Sequence, residues 1–153
     1  MSRPKQLVVF VATLCVSMMA QAAGKPHVDF INSVKAKAAG YPFSQAVQVD
    51  NTLYLSGQIG IDPATGKLAE GGIAEEARQT MQNIKDLLAE NGHSMSDLVK
   101  CTVMLADIKE WPAFNEVYRR FFDGQYPARS AFAGSGLAMG ARVEVECIAA
   151  VGN

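Results

Sequence analysis

Residues 141–151 read "ARVEVECIAAV", and the parity of this run decides how the rest of the chain folds. Side chains alternate across a strand, so Val143, Val145, Cys147 and Ala149 share one face. Arg142, Glu144, Glu146 and Ile148 share the other. The odd face reads as core beneath helices. The even face carries carboxylates in mid-strand, and two readings of it stand: an ordinary solvated sheet face, or a face used for a subunit interface or a site.

Just upstream, "QYPARSAFAGSGLAMG" (125–140) supplies a second strand over about 129–134 and then a loop of small residues. Arg129 opens that strand, and Ala131 and Ala133 share its parity, leaving room above the sheet. An arginine in this position is solvated, forked to a protein carboxylate such as Glu144 or Glu146, or waiting for the carboxylate of a ligand. Two parallel charged hydrogen bonds make the last option strong and oriented. Spacing alone leaves all three open.

Further toward the N-terminus, "EWPAFNEVYRRFFDG" (110–124) has Pro112 in a first turn and a helical stripe of Phe114, Val117, Tyr118, Phe121 and Phe122, closed by Gly124. "DLVKCTVMLADI" (97–108) reads as a strand with Val99, Cys101, Val103 and Leu105 on one face. Ile73, Ala77, Met81, Ile84, Leu87 and Leu88 fall at helical spacing, with Glu75 and Glu76 in the first turn and Gly92 as the left-handed stop. From Ala46 the period drops to two: Val47 and Val49, a break at Asn51, then Leu53 and Leu55, which predicts a hairpin. "DPATGK" (62–67) is turn chemistry. The predicted order is ββαβαββ, an α+β fold with one mixed sheet and both helices on one face.

At 153 residues, 49% hydrophobic and 19% charged, the chain suits one globular domain with a real core. A formal net charge of −1 gives no global attraction toward nucleic acid or anionic membrane. His27 and His93 are the only histidines and no cysteine is spaced to join them, which argues against a zinc site. "SGQIG" (56–60) lacks the spacing of a phosphate or dinucleotide loop. No serine has a plausible His–Asp pair. Cys101 and Cys147 both lie on apolar strand parities, and buried free thiols are the default expectation over a nucleophile or a disulfide.

The N-terminus is separate from the fold. Arg3 and Lys5 precede "QLVVFVATLCVSMMA", and Ala20 and Ala22 stand as small residues before a cut. This is the layout of a secretory signal peptide over 1–22, cleaved between Ala22 and Ala23, leaving a single domain over 23–153 in the periplasm or outside the cell. The apolar run is short for an uncleaved anchor.

"PFSQAV" (42–47), "LYLSGQIGID" (53–62), "FNEVYRRFF" (114–122), "YPARSAF" (126–132) and "ARVEVECIAAV" (141–151) together resemble the Rid family, the reactive intermediate deaminases, also called the YjgF family. The resemblance implies a chorismate-mutase-like fold assembled as a homotrimer with ligand clefts between subunits. The polar even face would then line a cleft. It also implies hydrolysis of 2-imino acids to 2-keto acids and ammonia, without a metal or organic cofactor. Carried over by motif, Arg129 grips the substrate carboxylate and Glu144 holds and activates water. Ser56 and Gly57 border the cleft, and Asn115 shapes it. Phe43 stands where the family often has tyrosine, and Ala131 where it often has cysteine. Both departures bear on substrate preference and rate. Two other functions compete: a non-catalytic trimer that binds small carboxylates or keto acids through the same arginine, and an endoribonuclease, which the near-neutral charge disfavours.

Overall fold

The computed structural model describes residues 24–152; the expected signal peptide and its cleavage point lie outside the described residues. The elements run β1 (Val28–Ile31), α1 (Val34–Ala39), β2 (Ala46–Val49), β3 (Thr52–Ile59), α2 (Ile73–Glu90), β4 (Leu98–Leu105), α3 (Trp111–Tyr118), β5 (Ala128–Ala133) and β6 (Val143–Ala150). From Ala46 onward this is the expected ββαβαββ. β1 and α1 precede it, and the sequence reading assigned neither. Their signals are nonetheless local: Ser33 caps α1 by accepting from the Ala36 N–H at 3.1 Å, and Gly40 ends it at φ 67°, a conformation glycine adopts without strain.

The six strands form one sheet in the order β1-β2-β3-β6-β4-β5. β4 and β5 pair in parallel, and every other neighbouring pair is antiparallel. β3 and β4 therefore run the same way, with β6 inserted between them. α2 connects β3 to β4 and α3 connects β4 to β5, so each helix is a crossover between co-directional strands. Right-handed crossovers that advance in the same direction across a sheet land on the same face. α2 and α3 accordingly pack side by side over one face and leave the other open.

The covered face holds the core. Leu53, Val103, Leu105, Val143 and Val145 meet Met81, Ile84 and Leu88 of α2 and Phe114 of α3, all fully buried. The odd residues of β6 are buried as their parity predicts, and Glu144, Glu146 and Ile148 point the other way. α2 stops where expected, with Gly92 at φ 79° and the His93 N–H returning to the Leu88 carbonyl at 2.9 Å.

Three expectations need correction. The ladder between β4 and β6 slips between Leu98 and Lys100, so Leu98 faces the core and Val99 is 48% exposed; a bulge reverses the parity that placed Val99 inside. The aromatic helix ends at Tyr118 and tightens into a 3-10 turn over Arg119–Phe121. Cys101 and Cys147 are not free thiols: they sit opposite each other on β4 and β6 and form a disulfide. Among the described residues no helix is long and apolar enough to cross a membrane.

Candidate active site

Arg129 lies on β5, an edge strand, in register with Cys101 of β4. Residues paired in this way face the same side, so Arg129 points to the helix-covered face. There one turn of α3 receives it. Its Nη2 donates to Asn115 Oδ1 at 2.7 Å, and its Cζ stands 4.6 Å from the centre of the Tyr118 ring and 5.8 Å from that of Phe114. No carboxylate among the described residues pairs with it, which removes the intrachain fork to Glu144 or Glu146. Nor is it simply solvated, being half-buried and stacked. The remaining donors of its fork are left for something else. Ala131, two residues on, shares the parity and packs against the core, so its small side chain keeps the space beside the guanidinium open.

Tyr118 is buried, and its hydroxyl has no hydrogen-bond partner among the described residues. Burial pushes the phenol up to about 12, against a smaller opposing pull from the Arg129 charge. The ring is thus a neutral π-face under a cation.

Glu144 is on the opposite face of the sheet. It pairs with Ile59 of β3 and Met104 of β4, and no ion pair or hydrogen bond among the described residues holds its carboxylate. The room for it comes from a bulge in β3, between Leu55 and Gln58, which contains Ser56 and Gly57. A methyl built on Gly57 would stand 2.9 Å from Glu144 Cδ and 3.1 Å from Cγ, closer than carbon atoms approach without repulsion. Only a glycine here lets the carboxylate lie against the β3 backbone.

The bulge is held from both sides. Asn83 of α2 donates to the carbonyls of Ile59 and Ile61 at 3.0 and 2.9 Å. Ser56 donates its hydroxyl to the Ser44 carbonyl at 2.6 Å. Asn32 in turn ties down Ser44 and Gln45 by accepting from the Gln45 N–H and donating to Ser44 Oγ, both at 3.0 Å. Phe43, next to Ser44, is therefore carried to the same edge, half-exposed and stacked on Tyr41 at 5.2 Å.

At the start of β6, Glu76 of α2 is 4% exposed and accepts from the backbone N–H groups of Arg142 and Val143. Arg142 forks its side chain onto Glu110. These contacts fix the chain immediately before Glu144. Sequence reading gave Glu76 only a helix-dipole role and Tyr118 only a place in an apolar stripe. The i,i+4 spacing of Phe114 and Tyr118 around Asn115 was the available hint for the second.

The expected residues thus fall into two groups. Arg129, Asn115 and Ala131 gather on the helix face, and Glu144, Gly57, Ser56 and Phe43 on the open face and its edge. β4 lies between the strands that carry Arg129 and Glu144. One chain does not bring the two charged side chains together. A concavity of about 920 Å³ is an open groove between the end of α2 and the segment before β5. It is lined by residues such as His93, Arg120 and Tyr126 and contains none of the site residues. The two groups combine unpaired charge with a fixed surround among the described residues.

The family model described as Endoribonuclease L-PSP matches residues 33–151, and the chain belongs to this family, the Rid/YjgF family to which its motifs point. A mouse (Mus musculus) protein named 2-iminobutanoate/2-iminopropanoate deaminase is 47% identical over 122 residues, 80% of this chain and 90% of its own length. Among solved structures, YyfA of Yersinia pestis, described as a protein of the conserved Rid family, is 38% identical with a TM-score of 0.76, covering 82% of this chain and all of its own. Escherichia coli TdcF, solved with bound serine, is 30% identical with a TM-score of 0.70, over 80% and 93% of the two chains.

Proposed function

We propose that the protein hydrolyses 2-imino acids to 2-keto acids and ammonia in clefts formed between neighbouring protomers of a homotrimer. The observation that carries this reading is the division of the site. Among the described residues, Arg129 is preorganised and lacks a carboxylate, Glu144 is unpaired, and the two occupy opposite faces of one sheet. A second copy that lays its open face against the β5 edge would bring one protomer's Arg129 to its partner's Glu144. The similarity to the mouse deaminase supplies the substrate class.

In such a cleft the guanidinium of Arg129 takes the substrate carboxylate through two parallel hydrogen bonds. Ala131 leaves space for the short side chain on C2. An iminium carbon is already electrophilic, so positioning and one proton relay are enough. The Glu144 carboxylate accepts a proton from water as the water oxygen bonds to C2, and the C=N π pair moves to nitrogen. Glu144 then passes that proton to the nitrogen. The C–N bond breaks with its pair leaving on ammonia, the hydroxyl oxygen closes the carbonyl, and its proton passes through Glu144 to the departing ammonia, which restores the free carboxylate. Water and the 2-iminium acid become the 2-keto acid and ammonium, with nothing left over.

The test is release of ammonia and keto acid from freshly generated 2-iminobutanoate by the protein and its Arg129→Ala variant. Acceleration that the variant loses supports the reading. Acceleration that survives it sinks the clamp, and keto-acid binding without turnover would leave a carboxylate-binding trimer instead. The endoribonuclease reading has the family model's description behind it, but a net charge of −1 gives no global attraction toward a polyphosphate backbone.

The same proposal places the protein in the periplasm or outside the cell. Two features support it: the signal-peptide pattern of residues 1–22 and the intrachain Cys101–Cys147 disulfide, since such bonds persist in oxidising compartments. A secreted or periplasmic species whose mass begins at Ala23 is expected, and an uncleaved cytoplasmic species would overturn it.

A further inference from the structure

We infer that Tyr118 is the positioning residue of the arginine half-site: its ring is the platform on which the Arg129 guanidinium is held ready for a carboxylate. The inference rests on the reading of Arg129 as a carboxylate clamp and adds the group that makes the clamp rigid.

A free arginine side chain samples many rotamers, and each must be given up when it forks a ligand. Here the selection is made in advance by one turn of α3. Tyr118 supplies a face at 4.6 Å from Cζ, and Asn115 takes one N–H at 2.7 Å. The guanidinium plane and its rotation within that plane are thereby both constrained. Phe114, at 5.8 Å, adds a second and weaker aromatic neighbour.

The tyrosine is itself held. It packs between Phe114, with ring centres 5.5 Å apart, and Phe122, at 4.8 Å, and Phe122 meets Tyr126 at 5.8 Å. The platform is therefore one member of an aromatic row anchored in the core. Its hydroxyl makes no hydrogen bond among the described residues despite being buried, so the face of the ring is what the site uses. A stacked ring leaves the in-plane N–H groups untouched, and these are the groups a carboxylate fork needs.

The test is a double-mutant cycle on binding of 2-ketobutanoate, followed by calorimetry and requiring no turnover. Tyr118→Leu should weaken binding about tenfold, the range of a desolvated cation–π contact, and Tyr118→Phe should restore it. In an Arg129→Ala background, Tyr118→Leu should have no further effect, because the residue acts only through the guanidinium. The Arg129 Nε–H resonance should lose its ring-current shift in the leucine variant and keep it in the phenylalanine variant. Should Tyr118→Leu not fold, Tyr118→Met fills similar volume without an aromatic face and gives the same comparison. Additive losses, or binding unchanged in a folded Tyr118→Leu protein whose Arg129→Ala counterpart binds poorly, overturn the role of Tyr118. Binding that Arg129→Ala leaves intact overturns the clamp itself, which separates the two failures.

Discussion

Adding one methyl group at Gly57 should separate activity from stability. The built Cβ lies 2.9 Å from Glu144 Cδ, and comfortable carbon contacts begin at about 3.5 Å. One carboxylate oxygen stands nearer still to the built Cβ, so the flexible carboxylate gives way, by about 1 Å or more. A displacement of that size at a proton-transfer group costs on the order of 100-fold in rate. Stability should hardly change. Gly57 does not adopt a left-handed backbone, and alanine there reduces the freedom of the unfolded chain, worth about 0.4–1 kcal/mol in favour of the fold. Gly57→Ala is thus expected to melt within a few degrees of the parent, to bind 2-ketobutanoate through Arg129, and to lose about 99% of its turnover. Steady-state ammonia release beside a thermal melt reads both. Full turnover from a folded Gly57→Ala protein would show that Glu144 in this position is not the group that handles the water.

Three other outcomes follow from buried groups. Tyr118 holds its proton to about 12 in the fold but loses it near 10 when unfolded, so stability is fully present below about pH 10 and falls by roughly 2–3 kcal/mol toward pH 12; Tyr118→Phe should lack this slope in urea melts run across that range. Glu76→Ala strands two backbone donors at the start of β6 and should cost about 2–4 kcal/mol, most of it recovered in Glu76→Gln; equal melting of all three proteins would refute the bracing role. Reducing the Cys101–Cys147 bond releases a loop with a sequence separation of 46, so the reduced protein should unfold about 3–4 kcal/mol more easily in denaturant; identical midpoints with and without reductant would contradict it.

Strand parity carried most of the fold. Val143 and Val145 inside with Glu144 and Glu146 outside follows from a period of two, and the stripes of α2 and α3 follow from a period of 3.6. Bulges have no such signature, because they depend on the partner strand. The slip at Leu98 turned Val99 outward, and the bulge in β3 set Ser56 and Gly57 beside Glu144. The Cys101–Cys147 bond needed the β4–β6 register, a pairing across 46 residues. Arg129 was visible as an arginine in want of a partner. That its partners are Asn115 and the Tyr118 ring depends on the crossover that lays α3 over β5, which no local pattern encodes.

Arg129 and Glu144 lie on opposite faces of one sheet, and the shared cleft is the claim on which everything else stands. Arg129→Ala and Glu144→Gln proteins, each inactive alone, should recover activity when unfolded together and reassembled, because a mixed trimer contains one cleft with both native residues. Random mixing of equal amounts predicts about a quarter of the parent's ammonia release from 2-iminobutanoate. No recovery from properly mixed trimers would mean that the two residues do not meet across protomers.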